Sequence, residues 1–199
     1  QVPTVRPMAA PFFPTVASRN TPANRDGENA VVQAVFGSVD FDLTDTLTAM
    51  PNRDAFDAQL AQRIASAGAR GERFALLFID ADNFKAANDS FGHAAGDAVL
   101  IALSARIKET LRKGDFAARV GGDEFIVIVD PLDADAAPYN LANSIRACVT
   151  QPVVLPGGAT YHASVSVGVA VYPDNGGDAT ALLTAADAAM YADKLSNRS

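Results

Sequence analysis

The sequence predicts an α/β fold in which a mixed or antiparallel central sheet is covered by helices. Three observations carry this prediction. The apolar run 74–79 is continuous, as in a strand buried on both faces. Residues 116–120 and 124–129 form two strand-like segments around a pair of glycines, which predicts a β-hairpin. Between these segments lie stretches with helical spacing, so helices are available to cover the sheet.

The predicted elements are helix 53–67, strand 74–79, a helix from Asn83 or Phe84, helix 94–111, strands 116–120 and 124–129, helix 138–150, strand 164–171 and helix 179–195. For the first helix, Asn52 is a suitable cap and Gly68 a suitable stop. Its apolar residues Phe56, Leu60 and Ile64 have helical spacing.

The later elements have comparable local signals. Pro138 is a favoured first-turn residue, so it marks the start of the helix that runs to 150. Residues 164–171 alternate and are rich in β-branched side chains, which is typical of a strand. The helix 179–195 then closes the predicted order α-β-α-α-β-β-α-β-α.

Composition narrows the possible classes of protein. The 199-residue chain carries a net charge of −7, which argues against a basic nucleic-acid groove but permits a small phosphate ligand. No apolar run reaches the ~20 residues that a membrane span needs. No signal peptide is visible, and a single Cys148 suits a reducing compartment, so we expect a cytoplasmic protein or the cytoplasmic part of a larger one.

The chain divides into two regions by composition. Residues 1–30 are rich in Pro, Ala, Asn and Thr. Residues 1–41 are predicted to form an arm or linker, with a possible short helix at 29–38. The globular domain is expected over 42–199. The chain begins without an initiator Met, which is compatible with a piece of a longer protein.

Acidic residues lie at the ends of two of the predicted strands. Asp80 follows the apolar strand, and the hairpin tip reads Gly121-Gly122-Asp123-Glu124. A single acid at a strand end often does no more than reach water. If these strands are neighbours, however, Asp80 and Asp123 can share a divalent cation, as in phosphate-transfer sites.

Six blocks of the chain, in order and at the expected spacing, resemble the GGDEF family of diguanylate cyclases. They are Asp45-Thr46-Leu47-Thr48-Ala49-Met50-Pro51-Asn52-Arg53-Asp54-Ala55-Phe56, Asp80-Ala81-Asp82-Asn83-Phe84-Lys85-Ala86-Ala87-Asn88-Asp89, Gly92-His93-Ala94-Ala95-Gly96-Asp97-Ala98-Val99-Leu100, Gly121-Gly122-Asp123-Glu124-Phe125, Ser166-Val167-Gly168-Val169-Ala170 and Ala186-Asp187-Ala188-Ala189-Met190-Tyr191-Ala192-Asp193-Lys194. The likeness covers about 42–198. It implies a sheet of the nucleotidyl-cyclase or palm type and condensation of two GTP molecules into cyclic di-GMP.

The resemblance also implies a role for particular residues. Mg²⁺ or Mn²⁺ would be held by Asp80, the Ala81 carbonyl, Asp123 and Glu124. Asp123 or Glu124 would help to activate the ribose 3′-hydroxyl, as base or through the metal, and the sequence leaves this choice open. The GTP-binding residues implied are Asn83, Phe84 and Lys85 at the phosphates, Asn88 and Asp97 at the guanine, Gly121 and Gly122 beneath the nucleotide, and the phosphate cations Lys85, Lys194 and Arg198.

The resemblance also implies product inhibition. Arg112 and Asp115 match the R-x-x-D tetrad of the family's inhibitory site for cyclic di-GMP. An exposed ion pair is the alternative interpretation. Because one domain carries one GTP, the resemblance also implies a homodimer with two-fold symmetry.

The tail departs from the family pattern, since Asp193 replaces a small residue and Asn197 replaces a glycine. Asp193 would place a negative charge beside the phosphate lysine, and Asn197 could keep a left-handed turn. Lys194 and Arg198 also lie near a helix C-terminus, where cations suit the helix dipole in any case. These departures leave two hypotheses, an active cyclase and a regulatory module that binds GTP or cyclic di-GMP without turnover.

Overall fold

The computed structural model describes residues 43–132 and 134–197. In chain order the elements are α1 (Arg53–Arg70), β1 (Phe74–Ala81), α2 (Phe84–Phe91), α3 (His93–Thr110), β2 (Phe116–Arg119), β3 (Glu124–Val129), α4 (Ala137–Val149), β4 (Val153–Val154), β5 (Thr160–Tyr161), β6 (Val165–Tyr172) and α5 (Ala179–Ser196). The predicted arm 1–41, its possible helix at 29–38 and Asp42 lie outside the described residues.

A four-stranded sheet in the order β2-β3-β1-β6 forms the centre of the described domain. Every neighbouring pair of strands is antiparallel. The short strands β4 and β5 pair only with each other. The predicted α/β fold is therefore confirmed, and its sheet is antiparallel rather than mixed.

Residues 74–79 of β1 are all apolar because helices cover both faces of the sheet. Successive side chains of a strand point to opposite faces. Leu77 and its alternate neighbours pack with α3 and α4, in a cluster that includes Leu103 and Ile145. Leu76 and its alternate neighbours pack with α1 and α5, in a cluster that includes Phe56. Residues 74–79 are therefore continuously apolar because alternate side chains pack into two separate hydrophobic cores, one on each face of the sheet.

Helix α5 crosses β6 at a position that only glycine fits. A Cβ atom on Gly168 would lie 2.0 Å from the carbonyl oxygen of Ala186 and 2.2 Å from the backbone nitrogen of Met190. The absence of a side chain lets the helix backbone lie directly against the strand. This close contact fixes the path of α5 and brings its last turn, which carries Lys194, to the end of β1.

Several predicted boundaries need correction. Helix α1 does not stop at Gly68 but continues to Arg70, where Gly71 adopts the left-handed conformation (φ 65°) and its N–H bonds to the Ala67 carbonyl. Helix α3 spans His93–Thr110 rather than 94–111. The β4–β5 hairpin was not predicted, because two residues are too few to show alternation.

Other local predictions are confirmed. The Asn52 side chain caps α1 by accepting a hydrogen bond from the Ala55 N–H at 3.1 Å. Helix α2 begins at Phe84, and Pro138 lies in the first turn of α4. Within residues 43–132 and 134–197, every helix is too short or too polar to span a bilayer.

Candidate active site

The predicted acidic residues meet at one end of the sheet. Strands β1 and β3 pair so that Asp80 lies opposite Glu124. Beyond this pair, the N–H of Ala81 donates to the carbonyl oxygen of Asp123 at 3.1 Å. The hairpin tip is therefore bonded to the end of the buried strand, and carboxylates from two strands face one region.

Burial and nearby negative charge shift the pKa of both hairpin acids upward. Burial raises the pKa of Asp123, and the neighbouring Asp80 charge raises it further. Burial and then the Asp123 charge raise the pKa of Glu124. Lys194 offsets part of this charge, because its ammonium group donates a hydrogen bond to an Asp80 carboxylate oxygen. A cluster of this kind favours the approach of cations.

The oxygen atoms offered by these residues fit a hard divalent cation whose remaining ligands are water and phosphate oxygens. Among the described residues, no group of three or more His, Cys, Asp or Glu side chains is arranged as a complete metal site. Asp80 and Asp123 nevertheless offer carboxylates from adjacent strands, with Ala81 between them in the hydrogen-bonded pairing. Mg²⁺ is commonly bound by one or two carboxylates and completes its shell with water and phosphate oxygens.

A cleft of about 370 Å³ opens beside these acids, and it contains the start of α2. Its lining residues are Ala81, Asn83, Phe84, Lys85, Ala86, Asp89, Asp123 and Lys194. Asn83 precedes the helix in a left-handed conformation (φ 55°, ψ 23°), and no side chain caps the first turn. Uncapped N–H groups at a helix start, together with two lysines, suit a phosphate group.

The predicted guanine-reading residues lie on two helices that pack together, Asn88 on α2 and Asp97 on α3. The Oδ1 atom of Asn88 is buried and has no hydrogen-bond partner within the described part of the chain. A Cβ on Gly96 would lie 1.8 Å from that oxygen, so the glycine makes room for the Asn88 side chain. Asp97 follows Gly96 in the first turns of α3 and is exposed. The sequence prediction missed this role for Gly96.

The two hairpin glycines have different structural roles. Neither adopts a positive φ. A Cβ on Gly121 would lie 2.2 Å from the Oε2 atom of Glu124, whereas a Cβ on Gly122 would meet nothing within 4 Å. Gly121 therefore gives space to a carboxylate of the site, and Gly122 leaves the surface of the tip open.

Arg119 supports the hairpin tip, and the sequence prediction assigned it no role. Its guanidinium donates to the Gly122 carbonyl from Nε (3.2 Å) and Nη2 (2.6 Å), and its Nη1 donates to Asp45 at 2.9 Å. Asp45 is held in turn by the N–H and hydroxyl of Thr48. The only sequence signal was an arginine three residues before Gly122, since its partner Asp45 lies far away in the chain.

The two residues of the predicted inhibitory tetrad differ in exposure. The Asp115 side chain is only 2% exposed, and its oxygens accept from the N–H groups of Arg112 (3.1 Å) and Asp130 (3.3 Å). The Arg112 side chain is 43% exposed, and its guanidinium also donates to the Pro131 carbonyl. Asp115 thus stabilises the turn, while Arg112 presents a cation at the surface.

The altered tail directs its acidic residue away from the cleft. The Asp193 carboxylate accepts from Arg146 at 2.9 Å and from the N–H of Val167 at 2.8 Å. The expected negative charge beside the phosphate lysine is therefore engaged elsewhere. Asn197 is right-handed (φ −78°), so the expectation of a left-handed turn there is wrong. Arg198 lies outside the described residues.

The described domain is thus an α/β domain with an antiparallel sheet and acidic residues at one end of it. A family model described as "Diguanylate cyclase, GGDEF domain" matches residues 42–199. The chain therefore belongs to the GGDEF family.

Similar proteins are known by sequence and by structure. Diguanylate cyclase TpbB of Pseudomonas aeruginosa is 44% identical over 147 residues, which are 74% of this chain and 34% of TpbB. The chain thus spans about a third of that relative's length. The solved GGDEF domain of TpbB matches with a TM-score of 0.74 and 42% identity, over 77% of this chain and 89% of that one.

A second solved structure contains a ligand. The GGDEF domain of DgcB from Caulobacter crescentus, in complex with c-di-GMP, matches with a TM-score of 0.72 and 34% identity. The match covers 77% of this chain and 91% of that chain.

Proposed function

We propose that this chain is a diguanylate cyclase that condenses two GTP molecules into cyclic di-GMP and releases two pyrophosphates. In each half of the reaction, a ribose 3′-hydroxyl attacks the α-phosphate of the other GTP. Membership of the GGDEF family and the similarity to TpbB support this activity. The observation that carries the proposal is the meeting of Asp80 with the hairpin acids beside an uncapped helix start.

Residues of the cleft would hold the triphosphate. The N–H groups near Asn83, Phe84 and Lys85 would bind the β- and γ-phosphates, because a helix start offers free donors and a positive dipole end. Lys85, Lys194 and Arg198 would neutralise phosphate charge. The open surface at Gly122 would let the nucleotide lie close to the hairpin backbone.

Asn88 and Asp97 would select guanine. The buried Oδ1 of Asn88 is an acceptor without a partner among the described residues, and the Asp97 carboxylate is a second acceptor. Guanine presents the N1–H and N2–H₂ donors that such acceptors need, whereas adenine has no equivalent donor pair. An acceptor left unpaired by the wrong base costs binding free energy, which favours GTP over ATP.

The acids would hold the cation and assist the attacking hydroxyl. Asp80, the Ala81 carbonyl, Asp123 and Glu124 would bind Mg²⁺ or Mn²⁺, which when bound would stabilise phosphate charge and acidify the hydroxyl. The raised pKa of Asp123 and of Glu124 brings each carboxyl closer to the range in which it accepts a proton. Either residue could therefore act as the base.

Catalysis would need two copies of the domain, because each copy supplies one GTP. A symmetric homodimer would bring two clefts face to face and place each hydroxyl near the opposite α-phosphate. Product would bind at the exposed Arg112 guanidinium, whose geometry suits phosphate or the O6/N7 edge of guanine. Asp115 would support this site by holding the Arg112 turn.

Incubation of the purified chain with GTP and Mg²⁺ tests the proposal. We expect cyclic di-GMP by mass spectrometry, and no cyclic dinucleotide when ATP replaces GTP. Asp123→Asn is the matched variant, because it keeps the size of the side chain and removes its charge. Full turnover by this variant would contradict the role given to Asp123.

The second candidate function is a regulatory module that binds GTP or cyclic di-GMP without turnover. The altered tail favours it, since Asn197 does not form the left-handed turn that a glycine would allow. Tight GTP binding by the wild-type chain, with no cyclic di-GMP formed, would support this module and exclude the cyclase.

A further inference from the structure

Lys194 forms an ion pair with Asp80, one of the residues proposed to hold the divalent cation. Its ammonium group donates to the Asp80 Oδ1 atom. Both side chains are largely buried, at 21% and 13% exposure, so solvent screens the ion pair only in part. The lysine lines the same cleft as the start of α2. It therefore lies within one cleft with both the acids and the uncapped N–H groups.

The backbone that carries Lys194 is held independently of this ion pair. Asp193, the preceding residue, is bonded to Arg146 of α4 and to Val167 of β6. The close packing of α5 on Gly168 fixes the helix further. Departure of the ammonium group from Asp80 consequently requires rotation of a flexible four-carbon side chain and no movement of the helix.

We propose that Lys194 is an internal competitor for the divalent cation. In the free protein it neutralises Asp80, and a cation that binds there must displace it. The phosphates of the incoming nucleotide offer the displaced ammonium a new partner in the same cleft. Cation and nucleotide therefore bind cooperatively, and the cation alone binds weakly. The identity of the nucleotide rests on the proposed function, but the competition at Asp80 does not.

Removing the competitor strengthens binding of the cation alone. A hydrogen bond between charged groups that are partly buried corresponds to about tenfold in an equilibrium constant. Lys194→Met keeps the apolar stem and removes the ammonium, so its affinity for Mn²⁺ without nucleotide rises by about that factor. By reciprocity, the presence of a nucleotide raises Mn²⁺ affinity in the wild type more than in this variant.

Titration of Mn²⁺ by electron paramagnetic resonance, without nucleotide and then with a non-hydrolysable GTP analogue, tests the competition. Lys85→Met is the matched control, because Lys85 lines the same cleft but forms no ion pair with a described residue. Without nucleotide, we expect Lys85→Met to change Mn²⁺ affinity less than twofold, the effect of an exposed charge screened by water. Lys194→Arg keeps the positive charge and should bind Mn²⁺ as weakly as the wild type.

Each outcome bears on the competition. If wild type and a folded Lys194→Met protein bind Mn²⁺ with equal affinity, the proposed competition is overturned. It is also overturned if Lys85→Met gains as much Mn²⁺ affinity as Lys194→Met, because the gain would then come from removing any nearby positive charge. The absence of measurable Mn²⁺ binding in every variant also overturns it. If the wild type makes no cyclic di-GMP but Lys194→Met still binds Mn²⁺ more tightly than the wild type, the proposed function fails. The competition between Lys194 and the cation at Asp80 then still holds.

Discussion

A methyl group added at Gly121 should displace a proposed catalytic carboxylate while leaving the sheet in place. In Gly121→Ala the new Cβ would lie 2.2 Å from the Oε2 atom of Glu124 and 3.0 Å from its Cδ. Carbon and oxygen cannot approach so closely, and the Glu124 backbone is fixed in β3 opposite Asp80. The flexible end of the Glu124 side chain must therefore move by on the order of 1 Å, because non-bonded atoms pack at about 3.5 Å.

This displacement should cost little stability and much activity. An off-rotamer side chain costs about 1 kcal/mol. For a domain of this size that lowers Tm by about 2–4 °C. A misplacement of about 1 Å in a catalytic group can lower the rate about 100-fold. We therefore expect Gly121→Ala to remain folded and to form cyclic di-GMP about 100 times more slowly.

Initial rates at saturating GTP and Mg²⁺, together with thermal unfolding, measure the two effects. Gly122→Ala is the matched control, since its Cβ would meet nothing within 4 Å. Its stability should stay within about 0.5 kcal/mol of wild type. Its KM for GTP should rise if the nucleotide lies against the tip. A Gly121→Ala protein that turns over at the wild-type rate would refute the position assigned to the Glu124 carboxylate.

Three further predictions concern inhibition, stability and pH. Arg112→Ala should weaken inhibition by added cyclic di-GMP at least about tenfold in rate assays, because a charged bidentate contact is lost, whereas Lys113→Ala should not. The Arg63 side chain is largely buried, and Arg63→Met leaves the partly exposed carboxylates of Glu72 and Asp130 without their cation, so denaturant unfolding should show a loss of about 1.5 kcal/mol. The exposed Arg70→Met should lose less than about 0.5 kcal/mol. In metal-free buffer Asp123→Asn should raise Tm at pH 7, because a raised pKa in the folded state means that the charged carboxylate destabilises the fold. Below pH 3.8, the ordinary pKa of this group, the carboxyl is protonated and the substitution should not raise Tm. Equal Tm values of wild type and variant at pH 7 would contradict that pKa shift.

Local patterns in the sequence predict most of the elements, because their causes are local. The run 74–79 is apolar at every position, and the segments around Gly121 end in residues that cannot continue a strand. Gly68 and Gly71 lie three residues apart and have the same local signal for a helix stop. The chain uses Gly71, whose N–H bonds back to the Ala67 carbonyl.

The candidate site was predictable in its residues but not in its supporting contacts. Asp80 and Asp123 could be paired only by assuming that two strands are neighbours, and the register confirms that adjacency. The partners of Arg119 and Asp193 are far away in the chain, at Asp45 and at Arg146. A charged side chain does not reveal from sequence which of several distant partners it will find, so these contacts required the structure.

The proposed reaction joins two GTP molecules, one from each of two copies of this chain, by means of the acids at the end of the sheet. The most direct measurement is the stoichiometry of cyclic di-GMP and pyrophosphate formed from GTP by the purified chain, with Asp123→Asn measured beside it. We expect two pyrophosphates for each cyclic di-GMP in the wild type and neither product in the variant. GTP that is bound but not consumed, or pyrophosphate released without cyclic di-GMP, would contradict it.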